Sequence, residues 1–147
     1  MNQQEQNKAL VRRLTEDIWN QANVEKIPDY YSETYEVDYR PYAPVRHGHD
    51  AIQGMVERAH AAFSNYHEEL SEVLADGDKV VARFTVSGEQ TGKWGAIPPT
   101  GKSVAYDEII VLTVRDGRVV HQSGIADNVV ALHQLGLLPM PGDKASS

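Results

Sequence analysis

The run from Lys79 to Leu138 constrains this chain most. It reads as a strand over residues 79–91, a Gly/Pro loop, a second strand over 103–115, and a third over 118–126. The second and third strands meet at Asp116-Gly117, a dipeptide suited to a tight hairpin because both residues tolerate positive φ. The alternation is dense in Val, Ile, Thr and Tyr, as a half-buried pleated surface requires. At Asp127 the period changes from two to near four, and a short helix runs to about Leu135, where Gly136 ends it. Asp127 therefore stands where a strand becomes a helix, among Ile125, Ala126, Val129 and Val130. A carboxylate in that place is either a helix cap or a working acid/base.

The first half has a different rhythm. Ala9, Leu10, Leu14, Ile18 and Trp19 recur at three-to-four spacing, which predicts a helix over residues 3–20. Val24, Ile27, Tyr30 and Tyr31 predict a second, short helix with Pro28 near its start. Residues 34–40 alternate and favour a strand, and Pro41 and Pro44 then impose an irregular segment. Ile52, Met55, Val56, Ala59 and Phe63 form a helical stripe after Gly48, with His49 or Asp50 as its cap and Asn65 as its stop. Residues 67–75 form a strand that turns at Asp76-Gly77-Asp78.

Helices first and hairpin-joined strands after them predict an α+β fold, with helices packed on one face of an antiparallel sheet. A strongly twisted sheet of this kind curls into a cone with an internal pocket. Residues 1–138 read as a single domain and 139–147 as a Pro/Gly/Ser-rich, frayed tail. A chain of 147 residues suits one domain with a core that needs no staples. It has no cysteine, which excludes disulfides, thiolate metal sites and a cysteine nucleophile, and which fits a reducing cytoplasm. No apolar run approaches the ~20 residues of a membrane span, and the start of the chain shows no signal peptide. The net charge of −7 disfavours nucleic acid or an anionic membrane as partner.

Within the cone, a carboxylate at Asp127 in an apolar pocket would have its pKa raised toward neutrality, as a general acid/base requires. Capping, worth ~1 kcal/mol, would use the same side chain. Strand alternation places Phe84, Val86 and Gln90 on one face and Arg83 on the other. If Ile110 faces in, so do Tyr106, Glu108 and Leu112, which makes Glu108 a second internal carboxylate unless a bulge swaps the faces. Tyr30, Tyr31, Tyr35, Tyr39 and Tyr42 offer flat apolar faces with a hydroxyl each, suited to a ring-bearing ligand or to helix–sheet packing. Trp94, in the Gly92–Pro99 loop, could cover the pocket mouth or anchor the loop. The six histidines show no pair at the spacing of a zinc helix, and serine-elbow, Walker and dinucleotide glycine patterns are missing.

Several stretches together carry a resemblance: Gly77-Asp78-Lys79-Val80-Val81-Ala82-Arg83-Phe84-Thr85-Val86-Ser87-Gly88, Thr91-Gly92, Ile97-Pro98-Pro99-Thr100-Gly101-Lys102, Asp116-Gly117-Arg118-Val119-Val120, Asp127 and Leu135-Gly136. This pattern resembles the SnoaL-like polyketide cyclases, or ester cyclases, of the nuclear transport factor 2-like superfamily, from about Trp19 to Leu138. The resemblance implies a cone-shaped sheet wrapped by three helices, a hydrophobic cavity and a homodimer formed through the open sheet face. It implies a small apolar ligand, no metal and no organic cofactor. In such cyclases an aspartate at the strand-to-helix junction, here Asp127, is the general acid/base of an intramolecular aldol condensation. Positions where family members often carry polar or aromatic cavity residues here hold Tyr39, Gln90, Ile110 and Ser123, with His121 beside the last. With Trp94 and Glu108 these make the candidate substrate-binding set.

The reading is therefore a cofactor-free cyclase or isomerase-like enzyme acting on a small apolar carbonyl compound. A non-catalytic ligand-binding dimer would use the same pocket. An epoxide hydrolase of the same superfamily would need an arginine beside Asp127 inside the cone, and Arg83 has the wrong strand parity for it.

Overall fold

A computed structural model describes residues 2–144. Helix α1 (Gln3–Leu14) opens at Asn2, whose side chain accepts the Glu5 amide, as an N-cap should. It continues into a π-helical turn, Thr15–Asn20, that buries Ile18 and Trp19. A short 3-10 turn, Val24–Lys26, leads into α2 (Ile27–Tyr30). Strand β1 (Tyr31–Asp38) follows, so Tyr31 begins a strand rather than ending a helix. A two-residue strand β2 (Arg46–His47) precedes α3 (Gly48–Ala62). Residue His47 is the N-cap of α3, without a side-chain bond, in place of the expected His49 or Asp50.

The remaining elements are β3 (Phe63–Asp76), β4 (Lys79–Gln90), β5 (Ser103–Arg115), β6 (Arg118–Ala126) and α4 (Asn128–Gln134). The six strands form one sheet in the order β2-β1-β6-β5-β4-β3. All neighbours are antiparallel except β1 and β6. That parallel pair departs from the all-antiparallel expectation. It arises because β6 comes back beside β1 only after most of the sequence has been laid down, a separation no hairpin could span.

Helices α1, α2 and α3 cover one face. Val11, Leu14, Ile18, Ile27, Ile52 and Val56 bury against Val80, Ala82, Val86, Leu112 and Val119 of the sheet. The sheet bends through irregularities in register: at Ser64/His67 and Leu70/Glu72 in β3, at Thr113/Val114 between β5 and β6, and between Tyr31 and Glu36 in β1. A bulge puts an extra residue in one strand, bends it and increases its twist. Asn65, expected to stop a helix, instead lies at the first of these bulges with φ of 56°. Asn20 of the π turn clamps the same strand at two points, donating to the Glu68 carbonyl at 3.0 Å and accepting the Glu68 amide at 2.7 Å.

Among the described residues, α1, α2 and α3 leave the opposite, outer face open. It carries Leu74, Ile109, Val111 and Ile125, the last 83% exposed. Of the tail expected over 139–147, residues 139–144 contain a turn closed by Met140 and Asp143, and residues 145–147 lie outside the described residues.

Candidate active site in the cone

Register decides which side chains enter the cone. Glu68, Val86 and Tyr106 lie in one row across β3, β4 and β5, and Leu70, Phe84, Glu108 and Ala126 lie in the next. The inward set Tyr106, Glu108, Ile110 and Leu112 is the one that alternation predicts, because β5 carries no bulge before Thr113. Tyr39 follows the end of β1 and packs on Gly124, where a Cβ would stand 2.8 Å from the Tyr39 ring and 2.9 Å from Ile110. The missing side chain at Gly124 gives the tyrosine its place.

There Tyr39 donates its hydroxyl to Glu108 Oε2 at 2.8 Å and accepts from Gln122 Nε2 at 2.8 Å. Gln122 in turn accepts from the Tyr35 hydroxyl at 3.2 Å, and the Tyr35 ring meets Tyr31 edge-on. The Tyr31 hydroxyl accepts from the Trp19 indole at 3.1 Å. Burial raises the Glu108 carboxyl above its ordinary range, and the Tyr39 bond partly offsets the rise. The hydroxyl proton of Tyr39 is held still more firmly, by burial first and then by the adjacent Glu108 charge.

A second carboxyl lies nearby. Glu68 is only 7% exposed and accepts a short hydrogen bond from the Tyr66 hydroxyl. Burial pushes its pKa up to about 8, the Tyr66 bond lowers it, and charge on Glu108 raises it further. Two carboxyl groups that feel each other, one neutral around pH 7, form an environment for separating acid and base roles. The sequence reading missed Glu68, because two bulges in β3 defeat parity counting from either end.

The other expected site residues fall elsewhere. Asp127 does not look into the cone. It is exposed, and its carboxylate caps α4 by accepting the Val130 amide at 3.2 Å. Ile125 and Asp127 fall on the parity that faces out, once Gln122 and Gly124 face in. His121 and Ser123 share that outer parity. His121 lies 3.4 Å from Glu36, and Ser123 pairs with Val111 and Asp38.

Gln90 is fully buried, but its amide is committed to the Gly/Pro loop. It donates to the Gly92 and Pro98 carbonyls and accepts from the Thr100 amide and hydroxyl. Trp94 stacks on Tyr106, with ring centres 6.1 Å apart, and meets Phe63 edge-on. It thus packs on the aromatic side chains of the inner face. Arg83 lies on the outer face, bonded to Asp107 at 2.8 Å. Among the described residues no three His, Asp or Glu side chains are placed to hold a metal ion.

Two cavities open on other parts of the surface. One of about 500 Å³ lies between α1 and the β5–β6 turn, and one of about 460 Å³ lies on the outer face beside His121. Both are lined mainly by polar surface side chains, and neither contains the Glu108 or Glu68 carboxyl.

The SnoaL-like polyketide cyclase family matches residues 9–135, and the chain belongs to that family. A structure from Jannaschia sp. CCS1 assigned as a SnoaL-like polyketide cyclase superposes with a TM-score of 0.83 at 19% identity, covering 92% of this chain and 95% of that one. IdmH of Streptomyces antibioticus, assigned as a polyketide cyclase, gives 0.78 at 23% identity, covering 88% and 98%. A protein of Catenulispora acidiphila with a ketosteroid isomerase-like fold gives 0.72 at 17%, covering 88% and 93%. No functionally curated protein matches the sequence. No helix among the described residues is long and apolar enough to cross a membrane.

The raised Glu68 carboxyl gives a pH prediction. Unfolded, it loses its proton near the ordinary 4.5, and folded it keeps the proton until about pH 8. Its contribution is therefore neutral below the unfolded value and increasingly destabilising between about pH 4.5 and 8, by ~1.4 kcal/mol per unit at most. Glu68→Gln removes this term. Thermal unfolding should show the variant gaining on the parent as pH rises from 5 to 8, and a gap that stays constant over that range would contradict a neutral buried Glu68.

Proposed function

We propose that this protein is a cofactor-free cyclase that moves a proton on a small carbonyl compound inside the cone, with Glu108 as the general base. The observation that carries the reading is the Glu108 carboxyl, raised by burial and aligned by the Tyr39–Gln122–Tyr35 chain. A carboxylate raised above its ordinary pKa is a stronger base than a free one and returns the proton less readily to water. Membership of the polyketide cyclase family supports ring closure as the reaction class, and we take the substrate's own carbon as the nucleophile.

In such a step Glu108 takes a proton from the carbon beside a carbonyl. The electron pair left behind attacks a second carbonyl of the same molecule and forms the new ring bond. The alkoxide that results is protonated, and the proton held by Glu108 or by the neutral Glu68 is the one available. The Tyr39 and Tyr66 hydroxyls, already at the two carboxyl groups, can turn toward an oxyanion in a water-poor site, where such donors are most effective. A ligand enters by displacing Trp94 from Tyr106, which makes the Trp94 loop the lid. The junction residue Asp127 then has a structural task, the cap of α4.

The open sheet face supports a second copy of this chain as partner. Ile109 and Ile125 pair directly across β5 and β6, with Val111 and Leu74 exposed on the same outer face. Apolar side chains gathered on one face mark an association surface. Sedimentation velocity should give twice the 16.3 kDa chain mass, and a monomer at micromolar concentration would exclude the dimer.

The catalytic assignment is tested by deuterium incorporation beside the carbonyl in a panel of aryl methyl ketones and 1,3-diketones in D2O. Glu108→Gln should lower the protein-dependent rate by about a hundredfold or more, the scale of a lost general base. Asp127→Asn, which keeps the capping oxygen, should stay within about threefold of the parent rate, because it removes no group from the cone. The reverse pattern would return the base to Asp127.

A further inference from the structure

Two arginines without a side-chain partner lie within electrostatic reach of each other in this acidic chain. Most of the other arginines have a fixed partner: Arg40 bonds Asp38, Arg83 bonds Asp107, Arg115 lies 3.6 Å from Asp78 and Arg118 donates to the Pro28 carbonyl. Among the described residues the side chains of Arg46 and Arg58, like that of Arg12 on α1, take part in no ion pair and no hydrogen bond, although the chain carries seven more acidic than basic side chains. Arg46 even buries its Nε without a partner, a state that costs free energy unless something supplies an acceptor.

Their positions are shared. Arg46 pairs with Val37 across β2 and β1, and Val37 points into the core, so Arg46 lies on the inner, α3-covered side of the sheet edge. Arg58 folds back along α3 until Nη1 would stand 2.9 Å from a Cβ at Gly54. A glycine in mid-helix costs ~1 kcal/mol relative to alanine, and the room it leaves is where this guanidinium lies. Burial lowers the Arg58 pKa, and the neighbouring Arg46 charge lowers it further. The Glu57 charge offsets this in part, but its carboxylate accepts from Gln53 at 2.9 Å and bonds neither arginine. Tyr42, 65% exposed in the loop after Tyr39, is within electrostatic reach of both Arg58 and Tyr106. Arg58 on α3 is thus coupled to Arg46 at the sheet edge and, through Tyr42, to Tyr106 of the inner face.

We propose that Arg46 and Arg58 form a carboxylate-binding site at the mouth of the cone, so that the substrate is an aromatic or polyketide-like acid with a free carboxylate rather than a neutral ester. The inference rests on the reading of the cone as a small-molecule site and adds the charge of the molecule bound there. Two guanidinium forks match the two oxygens of a carboxylate and give the buried Arg46 Nε its missing acceptor. The apolar body of the same molecule would then extend toward Trp94 and Tyr106, with its reacting carbons nearer Glu108.

Isothermal titration calorimetry of the full chain with 2-naphthoate and with methyl 2-naphthoate separates charge from shape. The parent protein should bind the acid about tenfold or more tightly than the ester, the scale of one charge-assisted contact. Arg46→Gln and Arg58→Gln should each erode that preference, and the double variant should abolish it while holding the ester affinity within about twofold. Arg58→Lys, which keeps the charge and loses the fork, should retain part of it. Equal binding of acid and ester by the parent, or a preference that survives in the double variant, overturns the arginine site and leaves the cone reading standing. Failure of both probes to bind would overturn the two together.

Discussion

Two carboxyl groups lie on the inner face of this sheet, and a tyrosine hydroxyl meets each of them. Burial of an ionised carboxylate without a partner is among the most costly arrangements a fold can contain, and the usual outcome is a raised pKa. Tyr39 at Glu108 and Tyr66 at Glu68 limit that cost without cancelling it. The rest of the inner architecture serves these contacts. Gly124 makes room for the Tyr39 ring, Gln122 fixes its hydroxyl from behind, and Asn20 pins the backbone of Glu68 from the π turn.

The geometry follows from sheet curvature. A flat sheet would spread β3 and β6 apart, and the helices could not close over both. The bulges in β3 and between β5 and β6 bend and twist the sheet beneath the helices that cover its inner face. The same bending leaves the outer face broad and partly apolar. One sheet thus has two surfaces with different chemistry, an inner one of tyrosines and carboxyl groups and an outer one of paired isoleucines flanked by charges.

Much of this was legible in the residues. The hairpins at Asp76–Asp78 and Asp116-Gly117, the bounds of β5 and β6 and the inward placement of Glu108 and Ile110 all follow from a period of two in strands free of bulges. The position of Asp127 at the strand-to-helix junction was legible too, but the direction of its side chain was not. An N-cap and a cavity acid need the same residue at the same place, and only the rotation of the chain beyond Ala126 separates them. His121 and Ser123 follow from the same rotation, once Gln122 takes the inner position. Glu68 was hidden because β3 changes face twice, and Gln90 because its acceptors lie in a loop whose path no periodicity encodes. The arginine pair was invisible for a different reason: being unpaired is a property of neighbours distant in sequence.

The most direct test of the account is the titration of the glutamate side-chain carboxyl carbons by 13C NMR from pH 3 to 10, with Glu68→Gln and Glu108→Gln proteins assigning the two signals. The account predicts two glutamates that titrate above the ordinary 4.5, Glu68 at about 8 and Glu108 raised by its burial. Loss of either carboxyl should shift the signal of the one that remains. A spectrum in which every glutamate titrates near 4.5 would mean that no carboxyl is buried in the cone, and the proposed chemistry would have no place to occur.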